Sequence, residues 1–438
     1  MADVIPARCA SWALVLTVLA SNLLFAGFIY GWASMLLLLQ EENQYAERCT
    51  PETINPTTGR CADQDAKLSL IYGVAQFTLT FSSLPSGIAL DKVGPMWMSL
   101  VAGVLSTTGF VLMALSDSVE FDAFVYGYVL IAIAGSATLL TSLRAGFVIL
   151  QWQTAIFAGI NCLFDASAVM PSLLHTMQSS LTVSRQSLLL VYAILTAAVY
   201  MLLVGLWWLH GRHTTAAIDE EAPVQADAPS SLQYEAMDET VPLTAAPLQT
   251  QLKSFEFRYL LLFAAVHNLQ SSFYFGTVNR TLVNYNDVDE VYIKAFGWIL
   301  PAGFVFIPVI DTLVDRFGLP VSMLSTTLLS IGYHVLAMIH SLPLQVVTFV
   351  LFTAFRALFY ANVATCGATT FGHANMGKIL GTVYSSSAIV ALLEIPAATS
   401  ANTSETGWNV LYAVSLGLAV ALVPVILVYR RRFYAKTV

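Results

Sequence analysis

Charged residues are scarce in this chain. They make up 11% of its 438 residues, whereas a soluble domain carries roughly 25%. So few charges cannot cover a water-facing surface, which excludes a soluble globular protein. The cations also form no cluster of the kind that binds nucleic acid, so no nucleic-acid partner is expected.

Motifs for enzymatic chemistry are missing as well. The sequence contains no metal-ligand spacing, no glycine-rich nucleotide loop before a strand, and no Ser/His/Asp set on a hydrophilic segment. No soluble domain is present that could house such chemistry. The sequence therefore predicts neither an enzyme nor a bound cofactor or metal.

Cysteine is rare, with five residues in the chain. One hydrophilic segment holds two of them, Cys49 and Cys61, which flank the turn-rich stretch TPETINPTTGR. An oxidising exterior would allow these two to form a disulfide. Cys9, Cys162 and Cys366 lie in or beside apolar segments, where cysteine usually serves as a packing residue.

Long apolar blocks make up most of the chain, which is 57% hydrophobic with a mean hydropathy of +0.71. A helix that spans a bilayer needs about 20 such residues, so the blocks predict an all-α membrane protein with twelve spans. The first six spans cover residues 11–39, 68–90, 96–115, 121–147, 154–177 and 187–209. The other six begin near residues 257, 291, 321, 344, 379 and 408.

A hydrophilic stretch separates the two sets of spans. Residues 211–256 are rich in Pro, Ala, Gln and acidic residues, a composition typical of flexible linkers. The predicted organisation is an N-terminal six-helix bundle (1–209), an acidic cytoplasmic linker (210–256), and a C-terminal six-helix bundle with a basic tail (257–438).

The distribution of cations orients the spans. With the N-terminus in the cytoplasm, twelve Lys and Arg residues fall in inside segments and six in outside segments. This excess predicts that both termini are cytoplasmic. We expect a monomer embedded in the lipid bilayer of the plasma membrane. The acceptor-type triplets at Asn279 and Asn402 would then lie outside.

A short charged turn occurs twice. GIALDKVG (87–94) joins the second and third spans, and DTLVDRFG (311–318) aligns with it without gaps at the equivalent place in the second half. The repeat predicts two related halves. Such repeats are typical of secondary transporters, whose halves rock around a site near the middle of the membrane.

This turn resembles the GxxxDKxG loop signature of the major facilitator superfamily. The resemblance implies alternating access, with each Asp docked at the start of a helix in the other half: Asp91 near Gly377, and Asp315 near Thr154. A carboxylate is stabilised there by ~0.3–1 kcal/mol, and glycine permits the tight turn. In the second copy an aspartate replaces the leading glycine, so looser helix contact is expected. The residues assigned to gating are Gly87, Asp91, Lys92, Gly94, Asp311, Asp315, Arg316 and Gly318.

Further motifs resemble solute carrier family 43. They include GFIYGW in the first span, NCLFDASAV in the fifth, FRALFYANVA in the tenth and MGKILGTVYSSSA entering the eleventh. That family includes sodium-independent, facilitative carriers of large neutral amino acids and a branch that carries purine nucleobases. The fifth-span turn, ILQWQTA, departs from the basic start usual in the family.

Three charged residues lie inside spans: Arg356, Asp165 and Glu394. Each such residue costs about 2.5–3.5 kcal/mol on insertion scales. Arg356 is expected either to bind a substrate carboxylate with its fork or to pair with Glu394. Asp165 is expected either to hydrogen-bond nearby backbone or Asn161, or to act in transport.

The other candidates for substrate contact lie in the first and seventh spans, which line the cavity in the superfamily. Gly27 and Gly31 would admit a close helix or a ligand. His267 is expected to be a neutral hydrogen-bonding residue rather than a proton sensor. The residues assigned to substrate binding are Arg356, Tyr360, Asn22, Tyr30, Trp32, His267, Gln270, Tyr274, Asn161 and Asp165.

These features predict a facilitative uniporter of a small-molecule substrate, with large neutral amino acids first. A nucleobase carrier on the same fold is the alternative, with Asp165 and Asn161 forming a hydrogen-bonding edge. A receptor or scaffold without transport is less favoured, because a static protein has no use for two gates.

Overall fold

The computed structural model describes residues 7–50, 61–181, 183–221, 243–287, 291–393 and 407–435. These residues form sixteen α-helices, and their single β-bridge joins Asp117 and Phe121. The helices up to the linker are α1 (Ala7–Ser21), α2 (Trp32–Glu41), α3 (Ala62–Phe81), α4 (Ser83–Leu115), α5 (Phe124–Ser142), α6 (Gln153–Ala166), α7 (Val169–Leu181) and α8 (Arg185–Glu221). The later helices are α9 (Leu248–Lys253), α10 (Phe255–Asn284), α11 (Val291–Ile299), α12 (Ile307–Phe317), α13 (Leu319–Ala337), α14 (Leu342–Phe371), α15 (Met376–Ala391) and α16 (Gly407–Ala435).

Nine helical segments of the described residues are long and apolar enough to cross a membrane, so the prediction of an all-α membrane protein is confirmed. The prediction of twelve spans is not established by this count. Helices α3, α10 and α15 lie where the second, seventh and eleventh spans were predicted, but they are not among the nine. All three contribute to the wall of an internal cavity, and a cavity wall tolerates polar residues that a lipid-facing helix would not.

The two signature glycines make the same backbone turn. Gly94 has φ 81° and ψ 170°, and Gly318 has φ 84° and ψ 158°. This positive φ is accessible to glycine at little cost. As a result α4 consists of two helical segments that meet at Gly94, and α12 and α13 meet in the same way at Gly318.

The first and fifth spans are broken at the same depth and pack together there. A π-helical turn (Asn22–Ala26) and a short 3₁₀ helix (Phe28–Gly31) follow α1, while α6 ends at Ala166. A Cβ at Gly27 would lie 1.9 Å from the Phe164 carbonyl oxygen, and one at Gly31 would lie 2.5 Å from that of Ala168. Another stretch of backbone, not a ligand, therefore occupies the space beside both glycines.

Helices pack mainly within each half of the chain, and a few contacts join the halves. In the first half α4 packs against α5 and α8, and in the second α13 packs against α14 and α16. Helix α15 contacts α4, and α6 contacts both α12 and α14 across the halves. The side of the molecule that carries Gly94 and Gly318 is called the turn face below.

The opposite side, called the disulfide face, carries the Cys49–Cys61 disulfide. The loop before this bond is anchored by side chains: the Tyr45 hydroxyl donates to Asp122 at 2.5 Å, and the Gln64 amide donates to the Gln44 carbonyl at 2.9 Å. Glu394 and Asn402, and the side chain of Asn279, lie outside the described residues.

Reduction of this disulfide is expected to destabilise the protein. A bond that closes a loop with a sequence separation of 12 stabilises by about 3 kcal/mol in the chain-entropy description. The melting temperature of the detergent-purified chain should fall when a reductant is added. A Cys49→Ser/Cys61→Ser variant should melt at the lower temperature with or without reductant. Equal melting of the wild-type chain in both conditions would contradict the prediction.

Candidate functional site

A buried ion pair joins the two halves of the chain. Arg356 on α14 donates through Nε to Oδ2 of Asp165 at 3.1 Å and through Nη2 to Oδ1 at 2.7 Å. Asp165 lies in the last turn of α6, just before the helix breaks. The third guanidinium nitrogen is 3.4 Å from the Ser271 hydroxyl on α10. This two-bond fork is the strongest geometry available to an arginine and a carboxylate.

Among the described residues, the carboxylate partner of Arg356 is Asp165, which the sequence did not indicate as its partner. The expected pairing with Glu394 stays a prediction, because Glu394 lies outside the described residues. Asp165 in turn pairs with Arg356 rather than with nearby backbone. Residues 191 positions apart meet here because α6 and α14 pack against each other, a contact that no local spacing reveals.

A cavity lies beside the ion pair, and its atom-free space, counted together with the open solvent at its mouth, is about 590 Å³. Five rings and six neutral polar residues form most of the wall. The rings are Tyr30, Phe164, Phe359, Tyr360 and Tyr384, and the polar residues are Thr80, Ser83, Ser136, Asn161, Asn268 and Ser387.

Asp165 is the one charged residue among those that line this cavity. Arg356 lies behind it, in a smaller adjoining space, and is 7% exposed. Its charge is therefore neutralised and screened from the cavity by Asp165, with the Tyr360 ring 5.5 Å away. A ligand in the cavity meets a carboxylate, amides and hydroxyls, and meets no cation of the described residues.

Three polar groups on the wall have unused hydrogen-bonding capacity. The Tyr384 hydroxyl has no partner. Asn268 uses its carbonyl oxygen to accept from the Tyr360 hydroxyl at 3.4 Å, and Asn161 uses its amide nitrogen to donate to the Phe157 carbonyl at 2.8 Å. The remaining donor of Asn268 and the remaining acceptor of Asn161 can therefore serve a ligand.

The structure brings half of the sequence-assigned residues to this site. Tyr30, Tyr360, Asn161 and Asp165 line the cavity, and Arg356 lies directly behind them.

The other five assigned residues lie elsewhere in the interior. Asn22 donates to Ser142, and Trp32 stacks on Tyr72. Three residues of α10 pack towards α13 and α16, away from the cavity. His267 hydrogen-bonds with Thr327, and Gln270 donates to the Ser415 carbonyl. Tyr274 packs on Tyr333.

Sequence reasoning missed Asn268 and Tyr384. The polar residues of α10 occupy two faces, and the three assigned to substrate binding, His267, Gln270 and Tyr274, face the core of the second half. Asn268, Ser271 and Phe275 share the neighbouring face at helical spacing and point towards the ion pair and cavity. The rotation of α10 is set by its neighbours, so spacing alone could not choose between the faces.

A second tie between the halves lies at the turn face and is centred on Asp91, whose side chain is fully buried. Its oxygens accept from the backbone N–H groups of Gly377 at 3.0 Å and Lys378 at 2.8 Å, in the first turn of α15. Arg144 donates to the same carboxylate at 2.6 Å. The arrangement places a negative charge at the positive end of a helix, and we call it the latch.

Small residues make the latch possible. A Cβ at Gly87 would lie 2.0 Å from the Gly377 carbonyl oxygen, and one at Gly381 would lie 2.7 Å from that of Ser83. The Ser385 hydroxyl accepts from the Leu84 N–H at 3.0 Å one turn further on. Helices α4 and α15 therefore touch along their backbones, as small-xxx-small patterns allow.

The second copy of the turn makes a different contact. Asp315, expected at the start of the fifth span, is exposed, and so are Lys92 and Arg316. Asp311 instead lies near the backbone N–H of Ala155 in the first turn of α6. Asp311 stands where the first copy has Gly87, so a side chain is present at the position where the first copy has none.

Comparisons with known proteins agree with this architecture. No protein family model matches the chain. It is 24% identical to equilibrative nucleobase transporter 1 of Bos taurus, over 90% of this chain and 89% of that protein. It is 23% identical to large neutral amino acids transporter small subunit 3 of Homo sapiens (88% and 87%) and 23% identical to protein FMP42 of Saccharomyces cerevisiae (81% and 82%). The chain is therefore similar, over most of its length, to transporters of the solute carrier 43 type.

The resemblance to solute carrier family 43 that the motifs suggested is thus confirmed over most of the chain. Both relatives with informative names are transporters, so the expectation that this SLC43-like chain is not an enzyme is also confirmed.

Asp91→Asn is expected to weaken the latch. It removes the charge from hydrogen bonds that each contribute about 1.5–3 kcal/mol, and each 1.4 kcal/mol changes a population ratio tenfold. Spin labels at the exposed positions Leu150 and Thr369 report the distance between halves at the turn face, with the free cysteines replaced by serine. The longer-distance population should rise at least tenfold.

Asp315→Asn is the matched control for this variant. It changes the equivalent residue of the second copy, which is exposed, and should leave the distance distribution as in the wild-type chain. If the distance distribution of Asp91→Asn also matches that of the wild-type chain, the hydrogen bonds of Asp91 do not hold the halves together and the prediction is wrong.

Proposed function

We propose that this chain is a facilitative carrier that moves a small uncharged solute of the nucleobase class across a membrane by alternating access. Its working unit is two six-helix halves of the major facilitator type, twelve spans in all, with the substrate in the cavity beside Arg356 and Asp165. The latch holds the halves together at the turn face, and its opening alternates with closure at the disulfide face.

The observation that carries the substrate assignment is the neutralisation of Arg356. A carboxylate ligand needs a cation, and the guanidinium is committed to Asp165 by two hydrogen bonds. The cavity wall adds a carboxylate and no cation among the described residues, which disfavours anions. Sequence reasoning placed amino acids first because it took Arg356 to be available.

The wall suits a flat heterocycle. Purine bases present both N–H donors and ring-nitrogen acceptors around an aromatic face. Asp165 and the Asn161 carbonyl accept, the Asn268 amide and the Tyr384 hydroxyl donate, and the rings of Tyr30 and its neighbours provide stacking surface. The named nucleobase transporter of Bos taurus supports the same class.

A large neutral amino acid is the second candidate, and one observation favours it. The Arg356–Asp165 pair places a cation and an anion side by side, which matches the carboxylate and ammonium of a zwitterion if the pair separates during transport. The similarity to the human amino-acid transporter supports this reading.

Uniport is the simplest coupling for this chain. Among the described residues, the charged groups of the central site are Arg356 and Asp165, and their opposite charges cancel. We place both termini and the turn face in the cytoplasm, from the excess of cations on that side, and the disulfide face outside, as expected for a plasma-membrane monomer.

Uptake by proteoliposomes tests the proposal. Liposomes that hold the purified full-length chain should take up labelled adenine saturably, with neither a sodium nor a proton gradient, and unlabelled guanine should compete. Labelled phenylalanine should not enter faster than into empty liposomes. Saturable phenylalanine uptake without adenine uptake would replace the first candidate by the second, and flux that appears only with a gradient would overturn uniport.

A pair of variants tests the cavity itself. Asn268→Leu keeps the side-chain volume but removes an amide, and should raise the KM for adenine about tenfold, since a buried hydrogen bond contributes about 1 kcal/mol or more. Gln151→Leu changes an exposed residue and should leave the KM unchanged.

A further inference from the structure

A second and larger opening lies on the turn face, outside the proposed substrate cavity. It is a groove between the Gly94 turn, the end of α8 and the segment between α14 and α15, and its atom-free space together with open solvent is about 1630 Å³. It lies where the apolar helical segment Arg185–Arg212 ends. The groove is therefore at the level where a membrane helix passes from hydrocarbon to headgroups.

The groove is lined by arginines, histidines and tryptophans. Arg144, Arg212 and His373 contribute to the wall together with Trp97, Trp207 and Trp208, and none of the described residues that line it is Asp or Glu. The Arg212 guanidinium lies over the Trp208 ring at 4.7 Å. Tryptophan is enriched at the headgroup level of membranes, and basic pockets on the cytoplasmic side of membrane proteins take anionic headgroups.

The donor that the groove presents to a ligand is the Arg212 guanidinium, which is exposed and lies over the Trp208 ring. Arg144 is already engaged, because its terminal nitrogens donate to Asp91 and to the His373 carbonyl. Phosphate and ester oxygens are acceptors only, so they match an exposed guanidinium.

We propose that this groove binds the headgroup of an anionic phospholipid. The phosphate lies against the exposed Arg212 guanidinium, and the acyl chains leave along the exposed Trp97 and Trp208.

Lipid binding to the purified, delipidated full-length chain tests this site. Bound lipid is counted by native mass spectrometry after addition of dioleoyl phosphatidylglycerol or dioleoyl phosphatidylcholine, and melting temperature is recorded in parallel. Phosphatidylglycerol should bind more tightly and raise the melting temperature. Arg212→Gln should weaken phosphatidylglycerol binding about fivefold, the contribution of one basic residue at an anionic surface, and Trp208→Leu, which removes the exposed indole beneath Arg212, should weaken it as well.

Arg258→Gln is the matched control. Arg258 is exposed near the start of α10 and does not line the groove, so its variant should bind both lipids as the wild-type chain does. Equal binding of the two lipids by the wild type, or an unchanged affinity for phosphatidylglycerol in both groove variants, would overturn the site. Full stabilisation by inorganic phosphate alone would assign the groove to a soluble anion and overturn the lipid assignment.

Discussion

The ion pair between Arg356 and Asp165 is the constraint on which the rest of this structure depends. Two opposite charges lie inside the membrane-spanning part of the chain, where either one alone would be costly. Each charge offsets the cost of burying the other, because two hydrogen bonds join the guanidinium to the carboxylate. Because the partners belong to different halves, the charge that must be paired also sets how α6 and α14 pack.

The same pair determines what the cavity can hold. With the guanidinium occupied and screened, the wall becomes a surface of rings, amides and hydroxyls with one carboxylate. Such a wall favours a neutral ligand that both donates and accepts hydrogen bonds. A bound zwitterion would require the pair to separate, and this would expose two charges at once inside the protein.

The latch complements the ion pair at a different depth. Asp91 caps the start of α15 and also binds Arg144, and the glycines beneath it allow backbones to touch. Its bonds are charge-assisted but few, so a change at Asp91 alone should weaken the contact. The second copy lacks the leading glycine, and there Asp311 lies near the first turn of α6. The two turns therefore share a backbone conformation without sharing a contact.

Sequence alone reaches the features that depend on local chemistry. The lengths of the apolar blocks predict a helical membrane protein, and the repeated motif predicts a tight turn at both Gly94 and Gly318. The resemblance of this turn to the major facilitator signature predicts that Asp91 lies beside the start of α15. Sequence cannot predict the rotation of each helix: the three residues of α10 assigned to substrate binding face away from the cavity, and the partner of Arg356 lies 191 residues away. Both depend on packing between halves, which leaves no periodic signal.

A double-variant cycle on the ion pair tests the central claim most directly. Removing one partner of a buried pair typically costs 3–5 kcal/mol, whereas replacing both is far less damaging. Melting temperatures should therefore fall sharply for Arg356→Gln and for Asp165→Asn alone, and recover in the double variant, which should still bind adenine. Additive losses in the double variant would contradict the account, because the two charges would then be acting independently.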